Sequence, residues 1–214
     1  VPIGGVIEVT GKNEIGVMYH REIYSPRYRA ENKPRPWTLE DKVDIFEDRV
    51  LGWQLVPAKE TAQRVPNSMF VVIGAVFSYI EMYAQFKAGE VSEGKSFTMF
   101  MEGMLDLFPN LRGNERAEPI FRALYKSIRC GMYHNAFVGR HVFLVDVSDR
   151  AIALHDFPPE PGRDGTTAIS MNPAVLTDFL INHFDSYIRR LRNPGNVELR
   201  ENFQKRFDLD REAK

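Results

Sequence analysis

A chain of 214 residues with a formal net charge of −1 can bury a large core without covalent staples, and it carries no overall basic field to collect nucleic acid. Any RNA contact therefore has to come from a local patch. The single Cys130 excludes a disulfide framework and a cysteine-based zinc site, and it fits a reducing compartment.

The sequence begins at Val1 rather than Met, which fits a fragment or a processed chain and leaves a lost leader open. Val6 to Thr10 and Glu14 to His20, separated by Gly11-Lys12-Asn13, predict a short hairpin. Ser25 to Pro36 is a proline-rich linker. Its basic residues, Arg27, Arg29, Lys33 and Arg35, interleave with Tyr24 and Tyr28. Such a segment is either a nucleic-acid arm or a solvated linker whose tyrosines pack back on the body.

Thr38, with Asp41 three residues on, opens a helix as a capping box, and that helix is expected to end before Pro57. Trp37 reads as a core anchor at its start. Asn67 caps a second helix, Ser68 to Lys87, apolar almost all round at first, as in the centre of a bundle. Its longest apolar run, Met69 to Ile80, is too short to span a bilayer, so a cytoplasmic protein without a membrane partner is expected. Glu81, between Tyr79 and Tyr83, either orients an Arg or His of a site or is an exposed or hydrogen-bonded glutamate at the wetter end of the helix. Lys95 to Phe108 is a third helix, with Met99, Met101 and Met104 as adaptable core.

Pro119 to Phe137 (PIFRALYKSIRCGMYHNAF) carries an apolar stripe of Phe121, Leu124, Tyr125, Ile128 and Met132 at helical spacing. Arg129 and His134 bring a fixed cation and a group that titrates near neutrality into this helix. The same spacing recurs at Arg150 and His155, but in an alternating segment an odd separation sends the two side chains to opposite faces.

After Phe137 the period becomes alternating. His141 to Val147 and Arg150 to Phe157, joined by Ser148-Asp149, predict a hairpin, and Thr166 to Met171 a third short strand. Asn172-Pro173 open a helix over Ala174 to Leu191. Arg189, Arg190 and Arg192 suit its C-terminus or the rim of a phosphate site. Leu199, Phe203 and Phe207 mark a last helix that docks on the body or on a second subunit.

The expected fold is mostly α. It is an up-and-down bundle of four or five helices with a small β-hairpin inserted after the motif helix. The expected division is 1–36 (hairpin and basic linker), 37–193 (helical domain) and 194–214 (C-terminal helix). No Gly-rich phosphate loop is present. The five histidines (His20, His134, His141, His155 and His183) show no HxxxH or HExxH spacing, so neither a metal nor another cofactor is expected.

Leu124 to Phe137 (LYKSIRCGMYHNAF) resembles the HEPN superfamily, helical domains many of whose members carry an Arg-x4–6-His ribonuclease motif. The resemblance extends over roughly residues 37–193. Cys130 stands where active members usually have a polar residue. It implies a homodimer with both motifs lining a two-fold cleft, and a metal-independent endoribonuclease or RNA-binding protein in defence or stress response. The alternative is a non-catalytic dimerising module that binds a nucleotide or a partner protein.

In that reading Arg129 neutralises a phosphate, His134 moves a proton, and Glu81, Tyr133 and Asn135 support them. In an ideal helix residues five apart are separated by about 140°. Arg129 and His134 therefore converge only if Gly131 loosens the helix, if one of them sits at an end, or if a second subunit closes the gap.

Overall fold

The computed structural model describes residues 17–18, 21–131, 139, 141–159 and 165–212. The expected strand over Val6 to Thr10 lies outside them. The described part of the N-terminal region pairs β1 (Val17–Met18) with β2 (Arg21–Glu22).

Thr38 opens α1 (Leu39–Val50) as the sequence predicts. Its hydroxyl accepts from the Asp41 amide at 3.2 Å, and the Asp41 carboxylate accepts from the Thr38 amide at 2.9 Å. The preceding basic segment straps onto this helix. Asp48 takes the Ser25 hydroxyl at 2.6 Å and the Arg27 amide at 2.7 Å, and Tyr24 packs edge-on to Trp37 at 4.5 Å between ring centres. Of the two readings of this segment, the geometry matches the linker whose tyrosines pack back.

Contrary to expectation, the chain does not leave the helix before Pro57. It widens into a π-helical turn (Leu51–Leu55) and continues as α2 (Val56–Arg64). The wider winding relieves the clash a proline ring makes with the carbonyl four residues back, and Pro57 falls in a first turn where its missing N–H is tolerated.

Central helix α3 (Met69–Ala88) buries Val72, Ile73, Val76, Phe77 and Ile80 and stops at Gly89, whose φ of 72° favours glycine. By length and composition α3 alone is apolar enough among the described residues to cross a membrane. It lies instead among α4 (Ser96–Leu107), α6 (Pro173–Arg192) and α7 (Val197–Glu212). Phe46 of α1 sits at their meeting point, with ring centres 4.2 Å from Phe86, 5.3 Å from Phe203 and 5.7 Å from Phe184. Phe203 and Phe207 are buried in this same core, so α7 docks on the body. Met104 of α4 joins it too, at 1% exposure, with Met101 packed against it, and Met99 is also buried.

Downstream, α5 (Ala117–Leu124) runs into a second π-helical turn, Tyr125–Cys130. The strands that follow correct the expected fold class. With 62% helix and 10% strand the chain is mixed rather than an up-and-down helical bundle carrying a hairpin. β3 (Val142–Leu144) and β4 (Ile152–Phe157) do not pair. β5 (Thr166–Met171) lies between them, parallel to β3 and antiparallel to β4, in the order β3-β5-β4.

The cause is burial. β5 carries Ile169 and Met171, at 3% and 0% exposure, on the face turned to the helices, whereas β4 is largely exposed, so β5 takes the centre. Asn172 fixes the arrangement. Its side-chain amide donates to the carbonyls of Asp146 (3.3 Å) and Ser148 (2.7 Å), holding the β3–β4 connection as a loop, while its carbonyl oxygen caps α6. His141 and His155 consequently do not face each other. His155 bonds Ser170 at 2.8 Å, and His141 lies 3.4 Å from the Thr166 hydroxyl.

Candidate functional site

Of the residues singled out from the sequence, Arg129 and Glu81 come together. Arg129 lies in the π-helical turn after α5, and its Nε donates to Glu81 Oε2 at 3.3 Å. The Glu81 side chain is 8% exposed and that of Arg129 37%, so a buried carboxylate anchors a cation that reaches solvent. Glu81 is thus a buried, hydrogen-bonded glutamate and not an exposed one. Bonds from each residue to the fifth along widen a π turn and shrink the angular offset between residues five apart. The wider winding ends at Cys130, directly before Gly131. Tyr133, His134 and Asn135 lie outside the described residues.

Arg192 stands in the last turn of α6, as its helix-terminus reading expects, and there it also pairs with Asp44 (2.9 Å) and Glu47 (2.6 Å). Arg200 similarly meets Glu40 at 3.1 Å.

A second polar cluster, not anticipated from the sequence, fills the junction of α3, α4 and α6. Tyr79, Tyr83 and Lys87 recur every four residues along α3, and His183, Tyr187 and Arg190 run along α6 opposite them. They line a cavity of about 180 Å³ together with Asp106 and Ser186, save for Tyr79, which lies behind His183. Asp106 accepts from the Tyr83 hydroxyl at 3.1 Å, from Arg112 at 2.6 Å and from Lys87. Burial pushes its carboxyl pKa up, but these donors outweigh burial and hold it below the usual carboxylate range.

Tyr79 Oη lies 2.9 Å from His183 Nδ1. Burial raises the phenols of Tyr79, Tyr83 and Tyr187, so all three stay protonated at neutral pH. Burial, opposed by Asp106 and reinforced by Arg190 and Lys87, lowers the His183 imidazole to about 4. His183 is therefore neutral at pH 7, with one ring nitrogen a donor and the other an acceptor, and its Nδ1 shares a hydrogen bond with the Tyr79 hydroxyl. The Tyr187 hydroxyl, on a residue 2% exposed, has no hydrogen-bond partner among the described residues, an omission that costs about 1–3 kcal/mol. One signal for this cluster was in the sequence: polar side chains at helical spacing along one face of the largely apolar α3 and of the amphipathic α6. The α4 partner Asp106 had none.

The His183 shift gives a signed expectation. The folded state resists protonation down to about pH 4, whereas the unfolded chain takes up the proton near pH 6.5. This contribution to stability is present above pH 6.5 and is lost as pH falls from there through about 4. His183→Asn, whose side-chain oxygen can accept the Tyr79 proton, is expected to flatten that limb of a melting-temperature profile. An unchanged limb places its cause in another group.

Comparison with known proteins finds no matching family model, no matching curated protein and no matching solved structure.

Proposed function

We propose that this chain is a HEPN-like, metal-independent endoribonuclease that works as a cytoplasmic homodimer in defence or stress response, with Arg129 and His134 as its catalytic pair. The observation that carries the reading is Arg129 itself, anchored through Nε by the buried Glu81 and borne on a π-wound turn with its side chain reaching solvent. Tyr133 and Asn135 flank His134 as groups for the ribose or base.

The ribose 2′-hydroxyl attacks the adjacent phosphorus while the bond to the 5′-oxygen breaks, leaving a 2′,3′-cyclic phosphate and a 5′-hydroxyl. The proton leaves the 2′-oxygen and one is delivered to the 5′-oxygen. His134 performs one of these transfers, and the same residue of a second copy performs the other. The Arg129 guanidinium offsets the charge of the pentacovalent phosphorus.

A second reading, a non-catalytic dimerising module that binds a nucleotide or a partner protein, is favoured by the same ion pair, because Glu81 offsets part of the Arg129 charge. Mixed RNA incubated with the protein in chelator, beside His134→Ala, separates the two. Cleavage lost in the variant supports the enzyme, and no cleavage by either protein supports the module.

A further inference from the structure

The cavity between α3, α4 and α6 lies away from Arg129. Glu81 and Tyr83 are two positions apart on α3 and so point about 160° away from each other. It has features of a binding site that are independent of the ribonuclease reading. Its donors outnumber its acceptors. In its lining Lys87 and Arg190 bring two cations against the one carboxylate of Asp106, which already accepts from Lys87, Tyr83 and, from outside the lining, Arg112. Among the described residues Arg190 makes no ion pair, although it lies near enough to the Tyr83 hydroxyl and Tyr187 to act on both. The Tyr187 hydroxyl is buried in the wall with no hydrogen-bond partner among the described residues. Ser186 stands at the exposed edge, and His183 belongs to the same wall.

What this arrangement lacks is an acceptor. A volume of 180 Å³ corresponds to about six waters and lies below the range of pockets that enclose drug-sized ligands, so the group it takes is small. A carboxylate offers two oxygens in one plane, whereas the available donors come from two helices and from side chains on more than one side. A tetrahedral oxyanion answers all of them, and the arginine fork with hydroxyl donors is the usual chemistry of phosphate recognition.

We infer that the cavity lined by Lys87, Ser186, Tyr187 and Arg190 binds a phosphoryl group, either free phosphate or the terminal phosphate of a nucleotide whose remainder stays outside. Tyr187 donates its hydroxyl to one oxygen, Arg190 closes the mouth over two, and Lys87 shares its charge between the ligand and Asp106.

The test uses the full chain and two probes, inorganic phosphate and AMP, titrated by calorimetry and by melting temperature against chloride of equal ionic strength. Phosphate is expected to raise the melting temperature above the chloride control, and Tyr187→Phe and Arg190→Gln are each expected to weaken binding about tenfold or more. In phosphate-free buffer Tyr187→Phe should melt at or above the wild-type temperature, because it removes only a hydroxyl with no hydrogen-bond partner among the described residues. AMP binding more tightly than phosphate assigns the site to nucleotide ends, and the reverse order assigns it to free phosphate. Either order supports the inference. Neither probe binding beyond the chloride effect, equal binding in both variants, or a Tyr187→Phe protein destabilised without ligand would overturn it. None of these outcomes bears on RNA cleavage by Arg129 and His134.

Discussion

Phe46→Ala is expected to lower the unfolding free energy by about 3–5 kcal/mol, the largest single-site loss we anticipate. Phe46 is 1% exposed and touches aromatic rings from three other helical segments: Phe86 at the end of α3, Phe184 of α6 and Phe203 of α7. Removing the ring loses its own transfer from water. It also strips one neighbour from each of three rings that are individually anchored on different helices, so the void cannot close by a local shift. For a chain of this size the loss corresponds to a fall in melting temperature of about 6–20 °C. Phe46→Leu, which refills most of the space, should cost much less. Urea denaturation of the three proteins reads this directly, and a loss below about 1 kcal/mol for the alanine variant would mean that the four rings do not form one packed unit.

Glu81→Ala is expected to cut RNA cleavage about 10- to 100-fold and to cost about 1–3 kcal/mol of stability. The stability part is limited because Arg129 reaches water and is not left as a buried charge. The activity part follows from orientation. In the proposed site Glu81 acts through Arg129, setting the direction in which the guanidinium points. A positioning role predicts that kcat falls more than KM rises and that Glu81→Gln, which keeps an acceptor at the same place, recovers much of the loss. If Glu81→Ala cleaves as well as the wild type, the ion pair is a packing feature and the site lies elsewhere.

How far the sequence revealed this architecture depended on where the governing interaction was local. The start of α1 was legible because Thr38 and Asp41 satisfy each other across three residues. The stop of α3 was legible because only glycine sits easily at the φ of Gly89. The sheet order was not, because Ser148-Asp149 has the composition of a tight turn, while the decisive bonds come from Asn172, more than twenty residues away. Neither π turn has a composition signal. Pro57 argued for a helix end, and only the winding of the preceding residues shows why the helix survives it.

The candidate site was half legible on the same grounds. A lone carboxylate in the apolar run of α3 is conspicuous, and so is an arginine followed five residues later by a histidine. That Glu81 and Arg129, forty-eight positions apart, meet at 3.3 Å is tertiary information. The cluster around Asp106 escaped because each member has an ordinary local explanation. Tyr79 and Tyr83 pass for core, Arg190 for a helix terminus, and His183 for a surface residue until burial is known.

One measurement bears most directly on the joint action of Arg129 and His134 at a phosphodiester. A synthetic RNA and its counterpart carrying a single 2′-deoxynucleotide at the cleaved position are incubated in chelator, and the new termini are identified by mass spectrometry. The account predicts a 2′,3′-cyclic phosphate from the all-ribose strand, no break at the deoxy position, and no product from Arg129→Ala or His134→Ala. Cleavage of both strands, or of the ribose strand by either variant at the wild-type rate, would contradict it.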